Sequence, residues 1–511
     1  MKKKNNHILS SVYLVGSGPG DPGLLTLRAK ELLEQADVVL YDYLVNPQIL
    51  QFCPKAKLDY VGKVGHGHSI SQEKIIRRIG QASKKYRKIV RLKGGDPFLF
   101  GRGGEEAEAL VDAGICFEIV PGVSSALAVP AYAGIPLTHR NFSSALHILT
   151  GHEAYLHKPK QKELKRYSHN ETIVLLMAVK NLPEHLEQLQ GAGVSPETPA
   201  AILEWGTYPH QRSVVASVEN LHKKAQAAGI ESPAVVVIGE VVQLRKKLNW
   251  FETKPLFAKK ILVTRPAAQA ESLSKPLREL GAEVIELPSF EINPLSNGKK
   301  LDAALRKIQQ YDWLLFTSVN AVDYFFARIK QLKQDIRTLQ GIKIASVGPA
   351  TSQAISKHLL KVDREAKDFS SDALAAALST REIKGKRILF PRAEIARPNI
   401  VADLKQRGAK LDVVAIYRSE PLRYSQQELQ KIFKKMPDLL TFTSSLGAEY
   451  FFRGLKSSLF KQKIQKIPCA VLGRSTRETA EALGFEVIVM PRQATIENFI
   501  EEILKFLRKK T

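Results

Sequence analysis

The sequence predicts an α/β protein in two consecutive parts, the second a pair of doubly wound, parallel-sheet lobes with a cleft between them. Three observations predict it. The chain has 511 residues, too many for one ordinary core and enough for two to four domains. Short β-branched runs alternate with helical patterns through the first half, the signature of an α/β architecture. The second half contains a degenerate internal duplication with a period too long for a solenoid.

In the first half, Val12–Val15, Val38–Tyr41, Ile89–Leu92, Phe117–Val120, Leu146–Thr150, Thr172–Met177 and Val235–Ile238 read as strands. A boundary falls near Asn249-Trp250-Phe251-Glu252-Thr253-Lys254-Pro255, where proline and charge suit a connector, so residues 1–250, 251–258 and 259–511 are expected as domain, linker and domain. Beyond it, Ile261-Leu262-Val263-Thr264-Arg265-Pro266 is echoed by Ile388-Leu389-Phe390-Pro391-Arg392. Leu315-Phe316-Thr317-Ser318 is echoed by Thr441-Phe442-Thr443-Ser444, each followed by a Tyr-Phe-Phe. Ser346-Val347-Gly348-Pro349-Ala350-Thr351 is echoed by Val471-Leu472-Gly473-Arg474-Ser475-Thr476. The offsets are 127, 126 and 125 residues, so the two copies keep one order at nearly constant spacing.

Composition narrows the function. Apolar content of 44% and charged content of 25% are ordinary for a globular protein, and no apolar run is long enough to span a bilayer. The basic start Met1-Lys2-Lys3-Lys4 leads into a short apolar run without a small-x-small cleavage site, so a tail and a first strand are expected, not a signal peptide. Cys53, Cys116 and Cys469 have neither metal nor disulfide spacing, which suits a reducing cytoplasm. The net charge of +25 is uneven: residues 1–250 hold 31 basic and 23 acidic side chains, the remainder 45 and 28. An anionic partner is implied. The cations are dispersed without interleaved aromatics, which argues against nucleic acid and leaves a small polycarboxylate.

Three loops carry candidate chemistry. Gly16-Ser17-Gly18-Pro19-Gly20-Asp21-Pro22 follows a strand and opens a helical stretch. A dinucleotide fingerprint would need glycine where Asp21 stands, and Pro19 removes an N–H, so a nicotinamide cofactor is set aside. Arg91-Leu92-Lys93-Gly94-Gly95-Asp96-Pro97 through Glu106 holds five glycines in sixteen residues, more than packing requires. Val120-Pro121-Gly122-Val123-Ser124-Ser125 places small residues after another strand, where α/β sheets bind ligands. His66, His68, His139 and His152 lack a completing Cys or acid, and no metal site is expected. Read as residues alone, Asp42 is equally a solvated strand-end carboxylate. In the second half the paired Thr/Ser and Gly-x-x-Thr turns are equally helix caps or hydroxyls lining a cleft.

These motifs, with Val61-Gly62-Lys63, Thr150-Gly151-His152, Glu204-Trp205-Gly206-Thr207 and Gly134-Ile135-Pro136-Leu137-Thr138-His139-Arg140, resemble uroporphyrinogen-III C-methyltransferase over nearly all of residues 10–250. The resemblance implies a two-lobed tetrapyrrole methyltransferase fold and two successive methylations giving precorrin-2, toward sirohaem or cobalamin. It places S-adenosylmethionine against Pro19, Gly94, Gly95, Asp96, Leu99, Ser124, Ser125, Met177 and Gly206. It implies a proton acceptor at Asp42, a proton donor at Lys63, and substrate contacts at Arg102 and Arg140. The N-terminal dehydrogenase and ferrochelatase module of some relatives is expected to be absent, because the resemblance begins by residue 12.

The motif order of roughly residues 259–508 resembles uroporphyrinogen-III synthase, which closes hydroxymethylbilane with inversion of the last ring and loss of water. That resemblance implies a cofactor-free reaction, a candidate acid at Tyr417 within Ala415-Ile416-Tyr417-Arg418, and cleft hydroxyls at Thr351, Ser444 and Thr476. It also implies that the opening strand–helix unit packs with the last part of the chain. Tyr417 reads equally as an aromatic closing a strand. The expected partners are polycarboxylate tetrapyrroles, with no nucleic acid or membrane, and a homodimer through the first domain. The competing readings are another corrin-pathway methyltransferase fused to a two-lobed tetrapyrrole-binding domain, and a two-lobed periplasmic-type receptor in the second half.

Overall fold

The structure, a computed structural model, describes residues 11–62, 71–151, 167–295, 298–366, 371–395, 399–455 and 457–508. It divides into two compact units: Met1–Lys260 with Leu277–Glu283 and Leu507–Thr511, and Ile261–Pro276 with Val284–Phe506.

The first unit opens with β1 (Ser11–Gly16), β2 (Val38–Tyr41), β3 (Lys57–Tyr60), β4 (Lys88–Lys93) and β5 (Cys116–Val120). They form one sheet in the order β3-β2-β4-β1-β5, with every pair parallel. Successive strand residues point to opposite faces, so a strand buried on both faces reads as continuous apolar sequence. Val12, Leu14, Val38, Leu40 and Ile89 pack with Ile75 and Ile79 of the helix Gln72–Ser83. Val15, Val39, Val90 and Leu92 pack with Ala29, Leu32 and Leu33 of the helix Leu27–Gln35. That helix starts where the Thr26 hydroxyl accepts the Ala29 N–H at 3.2 Å.

A second sheet holds β6 (Ala145–Thr150), β7 (Glu171–Leu176), β8 (Pro199–Glu204), β9 (Arg212–Ser217) and β10 (Ala234–Ile238). Its order is β6-β7-β10-β8-β9, with β6 and β7 parallel and the remaining pairs antiparallel. The seven strands expected from the sequence are present. The structure adds β3, β8 and β9. Two of these are edge strands of mixed polarity, Lys57-Leu58-Asp59-Tyr60 and Arg212–Ser217, and the third begins Pro199-Ala200-Ala201, which dilutes the β-branched signal. The segment after Asn249 packs: Phe251 is buried and its ring lies 4.8 Å from that of Tyr132, while Glu252 accepts from Gln211, Ser213 and Arg245.

The second unit holds β11 (Lys260–Val263), β12 (Glu283–Glu286), β13 (Phe290–Pro294), β14 (Trp313–Phe316), β15 (Lys343–Val347), β16 (Arg364–Ala366), β17 (Arg387–Ala393), β18 (Lys410–Pro421), β19 (Leu439–Phe442), β20 (Cys469–Val471) and β21 (Val487–Val489). They form two sheets, β12-β11-β19-β20-β21 and β13-β18-β17-β14-β15-β16. The internal duplication explains both orders. Substituting each strand by its echo turns β12-β11-β19-β20-β21 into β18-β17-β14-β15-β16, the order of the other sheet without its edge strand β13. The two lobes are therefore the same fold, begun at different points. β11 pairs in parallel with β19, so the opening strand joins the last part of the chain, as the resemblance implied. The Thr264 hydroxyl donates to the Thr441 carbonyl at 2.8 Å and the Thr441 hydroxyl to the Leu262 carbonyl at 2.9 Å, which fastens that junction. The lobes are joined by a ribbon: β13 runs antiparallel to β18, with Pro294 opposite Tyr417 and Phe290 opposite Pro421.

Candidate active sites

In the first unit the three glycine-bearing loops interlock at the carboxyl ends of parallel strands. Gly18 and Gly95 exchange backbone hydrogen bonds at 3.2 and 2.8 Å, both with left-handed φ. Gly16 and Gly122 press together: a Cβ on Gly16 would stand 2.6 Å from the Gly122 Cα, and one on Gly122 would stand 2.3 Å from the Gly95 carbonyl oxygen. Glycine there is a requirement of close backbone approach. Gly94 and Gly206 are closed instead by side chains, those of Leu44 and Val129. At Gly95 the space a Cβ would take is open, its nearest neighbour the Ser125 nitrogen at 3.9 Å.

Side chains lock this floor. The Asp96 carboxylate accepts the N–H groups of Phe98 at 2.8 Å, Leu99 at 3.0 Å and Gly122 at 3.0 Å. It therefore organises its own loop and ties it to the loop after β5. Asp21 accepts from the Gly23 N–H and the Tyr132 hydroxyl, both at 2.7 Å, while its N–H donates to the Thr207 hydroxyl at 3.1 Å. The Ser124 hydroxyl accepts the Ala126 N–H at 3.2 Å as the cap of the helix Ser125–Tyr132. Pro19, Gly94, Gly95, Asp96, Leu99, Ser124, Ser125 and Gly206 thus lie on loops held to one another. Met177 follows β7 and Trp205 follows β8, which run the same way on either side of β10, so both stand at one edge of the second sheet.

Five non-glycine residues around these loops have left-handed φ: Phe100, Arg102, Met177, Trp205 and Thr207. Such conformations are uncommon for these residue types and gather where surrounding structure enforces them. Met177 is 47% exposed despite its apolar side chain, as are Tyr43, Leu44 and Phe98 in large part, giving the floor an apolar rim. Trp205 packs edge-on to Tyr43 and Tyr208, and burial pushes the Tyr208 hydroxyl up to about 12.

Asp42, just past β2, accepts the Leu44 N–H at 3.2 Å and faces the Arg91 guanidinium at 3.4 Å. Arg91 is 3% exposed and also reaches Glu106 at 3.4 Å; Lys93 meets the same carboxylate oxygen at 2.9 Å. Burial, then the Arg91 charge, lowers the Lys93 ammonium below its usual range. This buried Arg–Lys–Glu group escaped the sequence reading. The available signal was Arg91 and Lys93 at alternate positions of a central strand, on one face and in need of an acid. Arg102 forms a surface pair with Glu105 at 2.6 Å, and Arg140 is exposed. Lys63, His66, His68 and His152 lie outside the described residues.

In the second unit, Tyr417 sits on the β18 ribbon, 7% exposed, its hydroxyl 3.0 Å from that of Ser318. It stacks on Tyr324 with ring centroids 5.7 Å apart. Burial raises its hydroxyl above the ordinary tyrosine range, partly offset by the Ser318 and Asn320 hydrogen bonds and by Arg392. Ser444 and its echo Ser318 are both helix caps, accepting the N–H groups of Gly447 and Ala321 at 3.1 Å. Thr351 and Thr476 lie in the first turns of equivalent helices and are only 4% and 6% exposed, so their side chains face inward.

The fold and these residues define a bifunctional enzyme: a set of glycine-bearing strand-end loops followed by two lobes of one repeated fold. Residues 11–222 match the family of tetrapyrrole (corrin/porphyrin) methylases, and residues 271–501 match uroporphyrinogen-III synthase HemD. A porphyrin biosynthesis protein HemD of Ruminiclostridium josui is 40% identical over 500 residues, covering 97% of each chain. A uroporphyrinogen-III C-methyltransferase of Bacillus subtilis is 38% identical over 378 residues, 74% of this chain and 75% of its own. Among solved structures, a uroporphyrin-III C-methyltransferase of Thermus thermophilus complexed with S-adenosyl homocysteine is 38% identical, covers 46% of this chain and 100% of its own, and gives a TM-score of 0.39. The chain belongs to the family in which a uroporphyrinogen-III C-methyltransferase is joined to a uroporphyrinogen-III synthase. No helix among the described residues is long and apolar enough to cross a membrane.

Proposed function

We propose that the chain performs two consecutive steps of tetrapyrrole synthesis. The second unit closes hydroxymethylbilane to uroporphyrinogen III with inversion of the last ring and loss of water. The first methylates that product twice from S-adenosylmethionine, giving precorrin-2. One observation carries this reading: the glycine-floored loops and the two-lobed unit coincide with the two matched family spans, and the synthase family and a methyltransferase relative are both named for uroporphyrinogen III.

The residues present suit S-adenosylmethionine. The opening at Gly95 beside the Ser125 nitrogen admits a ligand to the backbone, and the exposed rim around Met177 offers apolar surface. Pro19, Gly94, Gly95, Asp96, Leu99, Ser124, Ser125, Met177 and Gly206 are the proposed binding set, with Asp96 and Ser124 acting through the loop geometry they fix. The cofactor, when bound, supplies a methyl group made electrophilic by its sulfonium. The protein's work is then alignment. Asp42, oriented by Arg91, is the proposed acceptor of the proton released as the ring rearranges. Arg102, Arg140 and Lys63 are proposed to meet the substrate's carboxylates, with Lys63 also the proposed proton donor.

In the second unit Tyr417 is the proposed acid for the departing hydroxyl. Thr351, Ser444 and Thr476 are proposed to contribute through the helix N-termini on which they stand. The synthase step is proposed to need no cofactor. A homodimer through the first unit, location in the cytoplasm, and independent folding on either side of a 251–258 junction complete the proposal. Feeding uroporphyrinogen III and S-adenosylmethionine tests the methyltransferase directly. A product carrying two new C-methyl groups supports it, and methylation of only a later corrin intermediate overturns it.

A further inference from the structure

Trp250-Phe251-Glu252 lies past β10, the last strand of the first unit, yet all three side chains pack on that unit. The Phe251 and Trp250 rings lie 4.8 and 5.1 Å from the ring of Tyr132, and the Trp250 indole N–H donates to the Ala131 carbonyl at 3.0 Å. Tyr132 is thereby fixed at the end of the helix Ser125–Tyr132. Its hydroxyl donates to the Asp21 carboxylate at 2.7 Å. Burial, then Asp21 itself, raises that hydroxyl above the usual tyrosine range, so it stays a donor.

A second path starts at Glu252. Its carboxylate accepts from the Arg245 guanidinium, from the Ser213 hydroxyl at 2.6 Å and from the Gln211 amide at 2.7 Å. An amide has one donating and one accepting end, so the acid fixes how Gln211 is turned. Gln211 is buried, and its oxygen accepts the Thr207 N–H at 2.9 Å. Thr207 has a φ of 70°, uncommon for a β-branched residue, and this hydrogen bond helps to hold it there. The Thr207 hydroxyl then accepts the Asp21 N–H at 3.1 Å.

The two paths therefore meet on one residue, one at the Asp21 carboxylate and one at its backbone. Asp21 closes the first glycine-bearing loop, in which Gly18 pairs with Gly95 and the Gly20 carbonyl accepts from Asn46 at 2.7 Å. A loop held on every side presents its backbone to a ligand without an ordering cost, and a loosened one loses affinity. We propose that Tyr132, Gln211 and Glu252 are positioning residues for the S-adenosylmethionine site, acting through Asp21 on the loop that carries Pro19. This rests on the methyltransferase reading above. The segment after Asn249 is then a working part of the first enzyme and more than a connection to the second.

The test uses the full chain carrying Tyr132→Phe, which keeps the ring and removes the hydroxyl, or Glu252→Ala. Calorimetry measures the Kd of S-adenosyl homocysteine, and steady-state methylation gives KM for S-adenosylmethionine and kcat. Each variant is expected to raise both the Kd and that KM about 5- to 20-fold, the range of one lost hydrogen bond to a charged group, with a much smaller fall in kcat. Glu252→Gln, which keeps an oxygen for Gln211 and Ser213, should recover most of the loss. Closure of hydroxymethylbilane by the same proteins should stay at the parent rate. Folded variants with Kd and KM within about twofold of the parent overturn the proposal. So does a lower Tm or kcat with unchanged Kd, which is what a purely structural role gives. If Glu252→Ala does not fold, Gln211→Met cuts the same path at nearly constant volume, and parent affinity in that variant overturns the path equally. A parent chain that binds no S-adenosyl homocysteine overturns the methyltransferase reading and the positioning residues with it. A parent that binds it, beside variants of equal affinity, overturns the positioning residues alone.

Discussion

Replacing Asp96 by alanine should impair methylation and spare ring closure. The structure gives the size of the effect. Asp96 accepts three backbone N–H groups, from Phe98, Leu99 and Gly122, all at 2.8–3.0 Å. Hydrogen bonds to a charged group contribute about 1.5–3 kcal/mol each when well shielded. The site is partly exposed, so about 1 kcal/mol each, or about 3 kcal/mol in all, is the fitting figure. Lost from the loop that carries Gly94, Gly95 and Leu99, that energy corresponds to about a hundredfold in kcat/KM for methylation. Asp96→Asn, which keeps one acceptor oxygen, should fall between parent and alanine. The assay follows two rates in one protein: methyl transfer to uroporphyrinogen III, and closure of hydroxymethylbilane. Equal loss of both rates in a folded variant would refute the two-site reasoning, and parent-level methylation would refute the role given to the carboxylate.

Tyr417→Phe keeps the ring stacked on Tyr324 and removes the hydroxyl; closure should slow by about a hundredfold or more in a folded protein, measured against the uninverted isomer that forms spontaneously. Because burial holds the Tyr417 proton above the ordinary tyrosine range, the acid form persists as pH rises, and the parent's closure rate should keep its alkaline limb above about pH 10; a limb well below that contradicts Tyr417 as the acid. Gly122→Ala should destabilise the first unit by more than about 2 kcal/mol and abolish methylation, because its Cβ would meet backbone atoms at 2.3–2.8 Å; calorimetry showing a parent-like Tm would disprove the close approach. A fragment of residues 1–258 should melt several degrees above one of 1–250, since the shorter piece leaves Arg245 without the Glu252 carboxylate and Tyr132 without Phe251; equal melting temperatures would show the segment to be a passive connector.

What could be read from the sequence follows how locally each feature is encoded. Buried parallel strands such as Val38–Tyr41 are runs of apolar residues and announce themselves; edge strands such as Lys57–Tyr60 look like loops because half their side chains face water. The duplication was legible because Ile261-Leu262 and Arg265 recur as Ile388-Leu389 and Arg392 at one spacing. That β11 pairs with β19 and not with β14 is a long-range fact, and it came from resemblance alone. Glycines marked the first site well, since close backbone contact tolerates nothing else. The manner in which Asp96 and Ser124 act did not show, because a side chain that accepts from its own loop has the same letter as one that meets a ligand. Thr351 and Thr476 illustrate the same limit: their positions repeat, yet burial turns both hydroxyls inward. The Arg91–Glu106–Lys93 group depends on a helix folding onto a strand, which only the tertiary structure supplies.

The central claim is that one chain carries two enzymes acting in sequence. The most direct measurement supplies the purified full chain with hydroxymethylbilane, with and without S-adenosylmethionine, and identifies the products by mass and regiochemistry. Uroporphyrinogen III without the methyl donor and precorrin-2 with it is the predicted result. Only the uninverted isomer without the donor, or unmethylated uroporphyrinogen III with it, would contradict the account.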